Sequence, residues 1–466
     1  MNQHIDTATD PPIAAARTRK RSRLRAIRHA LHLIRRPLQF LESLPEQGDI
    51  VEVWFGFRPA YVVCRPDLVH QLLVNSRVFD KGGPQIERAR RLAGNGLFAS
   101  AYEEHKRQRR IVQLAFHRER LPGYSQVMIE ETTAELARWR DGTTIDIVES
   151  VRRITARAAA RTMFVADVAG PVVNEFPQAL TTMLEGSYRR MIIPIDFLYR
   201  LPLPSNRRYD HALRRMHEIV EEMIHTYRAA GVDHGDLMSM LLAARDDDGD
   251  GLSDPEIHEQ VYTLVAGSFE TTTSTICCAL QLLGTHQEIA ERVRAEVDAT
   301  TPCRAPGYAD LPELDLTRRV VTETLRLYPS GWIFNRTATQ DTELGGYPIA
   351  AGSTLIYSPY LVHHRADLYD GADRFDPDRW LPGRAQAAPR GAYIPFGGGA
   401  RKCIGSDLSL TEITLILATV FANWVLTPVD GAPTRPRPRM ALTMNRLPMR
   451  AERRARPGSR PISRFS

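Results

Sequence analysis

The chain is predicted to be mainly α, of α+β character: a helix-rich single domain with a small β-rich region. Three observations predict it. Apolar residues recur at helical spacing through most of the stretch from Pro66 to Leu327, while runs suited to strands gather only near Val51–Val63 and around Gly345–Pro359. No internal repeat or low-complexity linker divides the 466 residues. With 43% hydrophobic and 25% charged residues, the chain can bury a large core and is globular rather than disordered.

In chain order, residues 1–36 form a basic extension, in which residues 17–36 hold nine Arg or Lys and no acid. Leu24, Ile27, Leu31 and Ile34 fall three, four and three apart, so an apolar stripe runs along a basic amphipathic helix. Such a helix either lies on an anionic membrane surface or docks on the fold as its first helix; docking is the commoner use of so short a stripe. Residues 37–449 make the main domain. Val51, Val53 and Phe55 alternate with polar or small residues, and Ala60–Val63 follows a turn at Gly56–Pro59, which predicts a hairpin. Asp246–Gly251 imitates a calcium loop, but Ile257 stands where a bidentate acid would be needed, so a solvated acidic turn is expected. Ser253 and Glu256 have capping-box spacing, with Pro255 in the first turn, and start a long helix. The Arg/Pro-rich end, residues 450–466, is expected to be an untethered tail.

The net charge of +6 is unevenly spread. Residues 435–466 carry ten Arg and one Glu, and outside the two basic ends 42 bases face 54 acids. A body twelve charges negative excludes a nucleic-acid reader despite a sequence pI of 9.1. Five cysteines, Cys64, Cys277, Cys278, Cys303 and Cys403, are odd in number and sparse, as expected in a reducing cytoplasm. With no run of eighteen apolar residues and no signal-peptide core, a cytoplasmic protein, at most attached to a membrane surface, is expected.

From Gln260 to Thr285 the sole charged residue is Glu270. A carboxylate inside an uncharged helix is costly unless solvated, paired or at work. Thr271, Thr272 and Thr273 follow it, and the small residues Ala266, Gly267 and Ser268 precede it, leaving room for a ligand to approach. Hydroxyls beside a carboxylate can pass protons or merely bond to the backbone of a buried helix, and the residues alone leave both open.

The stretch Phe396-Gly397-Gly398-Gly399-Ala400-Arg401-Lys402-Cys403-Ile404-Gly405 presents one thiol on a glycine-rich loop. Leu408, Ile413, Leu415 and Leu417 suggest a helix beginning just after it, whose first amides would point toward the sulfur. Backbone donors, a nearby cation in Arg401 and little side-chain bulk are what a thiolate metal ligand needs; the plainer alternative is a turn with an inert cysteine. At every fixed position the segment resembles the haem-binding signature of the cytochrome P450 family, F-x-x-G-x-R-x-C-x-G.

That resemblance covers roughly Pro37–Met449 and implies the single, triangular, mainly helical haem-thiolate fold. It implies haem b (iron protoporphyrin IX), with Cys403 as its axial iron ligand. Glu270 and Thr271 resemble the family's oxygen-activation segment, which implies proton delivery to dioxygen; Ser268 departs from the usual glycine and Gly267 stands at the usual alanine. His105 and Arg109, Arg336 and Arg401 match the family's propionate-binding positions. Glu323-Thr324-Leu325-Arg326 and Phe375-Asp376-Pro377-Asp378-Arg379-Trp380 match the segments whose Glu323, Arg326 and Arg379 would form a buried structural ion network.

No flavin segment or cluster-forming cysteine set accompanies these motifs, so a ferredoxin and a ferredoxin reductase are expected as separate electron donors, with Lys106, Arg107, Arg110 and Lys402 as the docking patch. Val265, Phe269, Trp332, Ile333 and Phe334 form the expected substrate pocket for an uncharged, lipophilic small molecule. The overall chain resembles oxygenases of bacterial terpenoid clusters, with fatty acids, sterols and polyketides as alternative substrates. A monomer is expected. Two rival classes follow from the same residues: a haem-thiolate isomerase, dehydratase or peroxide-driven oxidase that dispenses with Glu270 and Thr271, and a haem-based sensor.

Overall fold

The computed structural model describes His32 and residues 35–454, apart from 56–57, 165–171, 193–195, 247–248, 303, 385–388 and 430–434. The expected amphipathic helix of the basic extension and Cys303 lie outside the described residues.

Helix α1 (Pro37–Glu42) leads into strands β1 (Ile50–Phe55) and β2 (Arg58–Val63), an antiparallel hairpin with Phe55 opposite Arg58. The predicted turn is therefore shorter than expected, because Arg58 and Pro59 already belong to the second strand. Next come α2 (Pro66–Val74), the two-residue β3 (Phe79–Asp80), α3 (Gly83–Ala93), α4 (Tyr102–Gln113), α5 (Leu121–Leu136), β4 (Thr143–Asp146) and α6 (Ile147–Met163). Helices α7 (Val172–Ile192), α8 (Pro204–Ala230), α9 (Leu237–Ala243), α10 (Asp254–Thr285), α11 (Gln287–Thr300) and α12 (Asp315–Leu327) complete the helical stretch. The chain then forms β5 (Phe334–Ala338), β6 (Thr342–Leu344), β7 (Tyr347–Ile349) and β8 (Thr354–Tyr357), and returns to helix in α13 (Ser406–Asn423). Strands β9 (Trp424–Pro428), β10 (Arg437–Pro438), β11 (Leu442–Thr443) and β12 (Pro448–Arg453) finish it.

The main sheet has the order β1-β2-β8-β5-β3, parallel only between β2 and β8, where Tyr61 faces Leu355 and Val62 faces Ile356. A second sheet, β4-β12-β9, places Arg450 opposite both Thr144 and Thr427. The expected boundary at residue 449 thus falls inside a paired strand, and the described chain stays tied to the fold through Arg454, whose N–H donates to Asn423 O.

Helix α10 is the axis of the molecule. Glu256 accepts the backbone N–H of Ser253 at 2.8 Å and so caps its start, as the spacing predicts. Its last third, Thr272–Gly284, is buried on every side, the mark of a helix enclosed by neighbours: α6, α12 and α13 pack on it. The Asp246 turn closes on itself, since the Asp250 N–H donates to Asp246 Oδ1 at 2.9 Å, and Asp246 also faces Arg107. Among the described residues, no helix is long and apolar enough to cross a membrane.

Candidate active site

The cysteine loop is a tight hairpin. The Cys403 N–H donates to Phe396 O at 2.9 Å, the Lys402 N–H to Gly399 O at 3.1 Å, and the Gly397 N–H to Ile394 O at 3.0 Å. Gly397 and Gly399 adopt φ of +68° and +64°, where L residues other than glycine are strained. At Gly399 a Cβ would stand 2.1 Å from the backbone oxygen of Leu73, so the loop rests directly on the end of α2. Helix α13 begins at Ser406, as the sequence suggests. The Cys403 side chain reaches solvent, yet surrounding protein pushes its thiol pKa up, against the opposing pull of the Gly405 amide, Arg109 and Lys402.

A buried network supports this loop from below. Glu323 and Arg326 are fully inaccessible; Arg326 donates from Nε to Glu323 Oε2 at 2.9 Å and from a terminal nitrogen to Oε1 at 2.8 Å. Its remaining donors reach the carbonyls of His363, Ala372 and Arg374 at 2.9, 2.6 and 3.1 Å. Arg379 Nε lies 3.4 Å from Glu323 Oε1, and the Trp380 indole N–H donates to Oε2 at 2.9 Å. The three network residues expected from the sequence therefore meet.

Sequence reasoning missed His363, at the end of a one-turn helix, Pro359–His363. Its Nε2 accepts the Ile394 N–H at 2.9 Å, which leaves Nδ1 as the protonated nitrogen, donating to Arg326 O at 3.2 Å. Burial, with His364 and Arg326 nearby, lowers its pKa to about 3 and keeps the ring neutral. His363 thus links Arg326 to the segment entering the cysteine loop.

Beside the loop lies a cationic recess. His105 and Arg336 are buried at 4% and 2% exposure, and the Arg401 side chain at 2%. Arg401 pairs with Asp80, which also accepts the Tyr102 N–H at 2.7 Å. Lys81 was not foreseen. Its pKa is driven well down, first by burial and then by Arg336 and Arg401, with Asp80 the one opposing charge. His105 is lowered to about 3, by burial first and then by Arg401, Arg109, Lys81 and Arg336. Among the described residues, Nε of Arg336 and both Nε and one terminal nitrogen of Arg401 are buried without a partner. Arg109 instead donates to Lys402 O at 2.7 Å. Buried guanidinium donors without acceptors, and more cations than carboxylates, call for an anionic group with several acceptor oxygens. The two propionates of a haem have that character, so the residues fit the cofactor.

At the centre of α10 the Thr271 hydroxyl donates to Gly267 O at 2.5 Å, one turn back along the unbroken helix. Gly267 is exposed, and a Cβ built there would meet nothing within 4 Å, so the helix is bare where a ligand could approach. Ser268 turns its hydroxyl back to Val265 O at 3.2 Å. Burial raises the pKa of Glu270, with Arg152 and Arg439 opposing the rise and Glu185 adding to it. Thr271 O accepts hydroxyls from Thr275 at 3.0 Å and Ser330 at 2.9 Å, fixing the helix to the segment before β5.

Two expected pocket residues are misplaced. Val265 and Phe269 are each 1% exposed and packed in the hydrophobic core. At about 100° per residue they stand roughly 200° from Gly267, on the opposite side of α10. Trp332, Ile333 and Phe334 are half-buried; Phe334 stacks on Tyr357 at 5.4 Å between ring centres, and the Trp332 indole N–H donates to Arg439 O at 2.9 Å. In the expected docking patch Lys106, Arg110 and Lys402 are exposed, whereas Arg107 is drawn to Glu256 and Asp246.

Comparison with known proteins agrees with this geometry. The family model described as cytochrome P450 matches residues 23–452. The chain belongs to the cytochrome P450 family. Members bind haem through a cysteine thiolate and act as monooxygenases on a substrate, with dioxygen and redox partners. The chain is 47% identical to cyclooctatin synthase of Streptomyces melanosporofaciens over 91% of this chain and 93% of that one. It is 45% identical to cyclooctat-9-en-7-ol 5-monooxygenase of the same organism, over 86% and 88%, and 43% identical to pentalenene oxygenase of Streptomyces avermitilis, over 94% and 95%. Among solved structures, the heme domain of cytochrome P450DA superposes with a TM-score of 0.83 at 27% identity, covering 92% of this chain and 95% of that one. The helix-rich P450 fold foreseen from the sequence is the one found.

Proposed function

We propose that this P450 hydroxylates or further oxidises a terpenoid of a bacterial secondary-metabolite pathway, with Cys403 as the iron ligand of haem b. The observation that carries this is the pairing of an exposed thiol on a glycine hairpin with a recess of buried, partnerless guanidinium donors beside it. His105, Arg109, Arg336 and Arg401 hold the propionates, and Lys81 joins them. When bound, the haem supplies the binding and reductive activation of dioxygen.

The chain's own residues do the rest. Burial shifts Glu270 toward its protonated form, which suits its carboxyl to hold and pass on a proton, and the Thr271 hydroxyl is aimed along the bare face of α10 by its bond to Gly267. Trp332, Ile333 and Phe334 offer half-buried apolar surface to the substrate. The names of the relatives support a terpenoid: pentalenene is an apolar hydrocarbon and cyclooctat-9-en-7-ol a nearly apolar alcohol. Electrons come from a ferredoxin and its reductase, docking on Lys106, Arg110 and Lys402, to a monomer in the cytoplasm.

The test is the absorption spectrum of the dithionite-reduced protein under carbon monoxide, beside Cys403→Ser. A strongly red-shifted band in the parent, absent from the variant, is expected. A histidine-type band, or no haem in the parent, overturns the assignment.

A further inference from the structure

Outside the site described above, α8 lies against α10. Among the described residues a single cluster brings three metal-binding side chains together: His217 and Glu221, one turn apart on α8, and His258 at the start of the second turn of α10, with ligand atoms all within 4.8 Å of one another. We infer that His217, Glu221 and His258 form a site for a zinc-class divalent transition metal, clamping α8 to α10.

Three features carry the inference. His258 is 7% exposed and its Nδ1 is buried without a hydrogen-bond partner, as is Tyr262 Oη one turn further on. A buried imidazole nitrogen left unbonded is costly, and a metal ion is the partner it suits best. The other two ligands lie at the surface: the side chains of His217 and Glu221 are 59% and 55% exposed and 3.4 Å apart. The His217 ring stacks on that of His258, with centroids 4.3 Å apart and planes 25° from parallel, so His217 must turn out of the stack, as its exposed position allows, to bring its in-plane nitrogen to the roughly 3.4 Å ligand spacing of a tetrahedral sphere with metal–nitrogen bonds of ~2.1 Å. Third, an open surface depression lined by Leu213, Arg214, His217, Glu218 and Tyr262 borders the cluster at His217, so water can reach that side. Two imidazoles and one carboxylate favour zinc, copper or nickel over magnesium, which requires oxygen ligands. His225 stands 3.9 Å from Glu221, and Asp254 is held by Arg228, so the acid beside His258 does not compete.

The test uses the haem-loaded full-length enzyme, without an affinity tag and stripped by chelator, titrated calorimetrically with zinc chloride and, in parallel, magnesium chloride. One zinc per chain is expected, and no magnesium. His217→Ala and Glu221→Gln, both at exposed positions outside the core, should each weaken zinc binding by about tenfold or more. Equal affinity for magnesium, zinc binding reduced less than tenfold in the double variant, or no zinc binding at all overturns the inference. His258→Ala should abolish binding, and its unchanged haem spectrum would show that the fold survives.

Discussion

Replacing Arg326 with alanine removes five hydrogen bonds from a site with no solvent access: two to Glu323 and three to the carbonyls of His363, Ala372 and Arg374. Glu323 would remain buried as a carboxylate, with Arg379 at 3.4 Å as its nearest cation. Breaking a buried pair by removing one partner costs ~3–5 kcal/mol. At about 2.1 cal/mol/K of unfolding entropy per residue, a chain of this length unfolds with roughly 1 kcal/mol/K, so melting should fall by about 3–5 °C. The larger effect is local. The guanidinium fixes the His363 backbone through its bond to His363 O, the His363 ring anchors the Ile394 amide, and Ile394 O anchors Gly397 in the cysteine hairpin. The variant should purify with most of its haem missing, measured as Soret absorbance relative to protein together with the carbon monoxide band. Arg65→Ala is the control: it makes two bonds to Asp67, at 2.9 and 2.5 Å, and one to Asp49 at 2.9 Å, but its side chain is 45% exposed, and it should cost no more than about 1 kcal/mol. Normal haem content and melting in Arg326→Ala, matching the control, would refute the reasoning.

Gly399→Ala would force a Cβ against the Leu73 carbonyl, so haem loading should collapse; Gly346→Ala, at φ +85° with open space around it, should cost only about 1–2 kcal/mol and keep its haem. Equal haem content in the two would show that the seat on α2 does not matter. Thr271→Ala should let electron consumption continue while product per electron pair falls by about tenfold or more and hydrogen peroxide rises; unchanged coupling would remove Thr271 from proton delivery. Burial raises the Glu412 pKa to about 8, so the folded protein holds a proton that the unfolded chain releases above its ordinary carboxyl range. Its penalty is absent at low pH and grows as pH rises toward 8. Glu412→Gln should therefore melt like the parent near pH 4.5 and above it at pH 8, and a difference independent of pH would contradict this.

The parts of the site legible in the sequence are those set by spacing along one segment. The Cys403 hairpin, the Glu323–Arg326 pair and the Ser253–Glu256 cap each need only a few consecutive residues, so their geometry follows from local backbone. Asp80, Lys81 and His363 escaped notice because no periodicity marks them. Strand β3 is two residues long and reaches the recess only by pairing with β5, Phe79 against Ala338. Val265 and Phe269 failed for a different reason: apolar character says that a side chain is buried, while the phase of α10 decides whether it faces core or groove. Arg107 looked available for docking until α4 met the cap of α10 and Glu256 claimed it.

The contact of Gly399 with Leu73 joins residues more than three hundred positions apart. The parallel pairing of Tyr61 with Leu355 spans nearly as far. At ~5–20 residues per second, a ribosome needs tens of seconds to follow the first half of each contact with the second. Until then α2 and the first hairpin have no floor or neighbour, and the cysteine loop has no seat. Cofactor capture must therefore be among the last events of biogenesis, and a nascent chain arrested before α13 should bind no haem however long it waits.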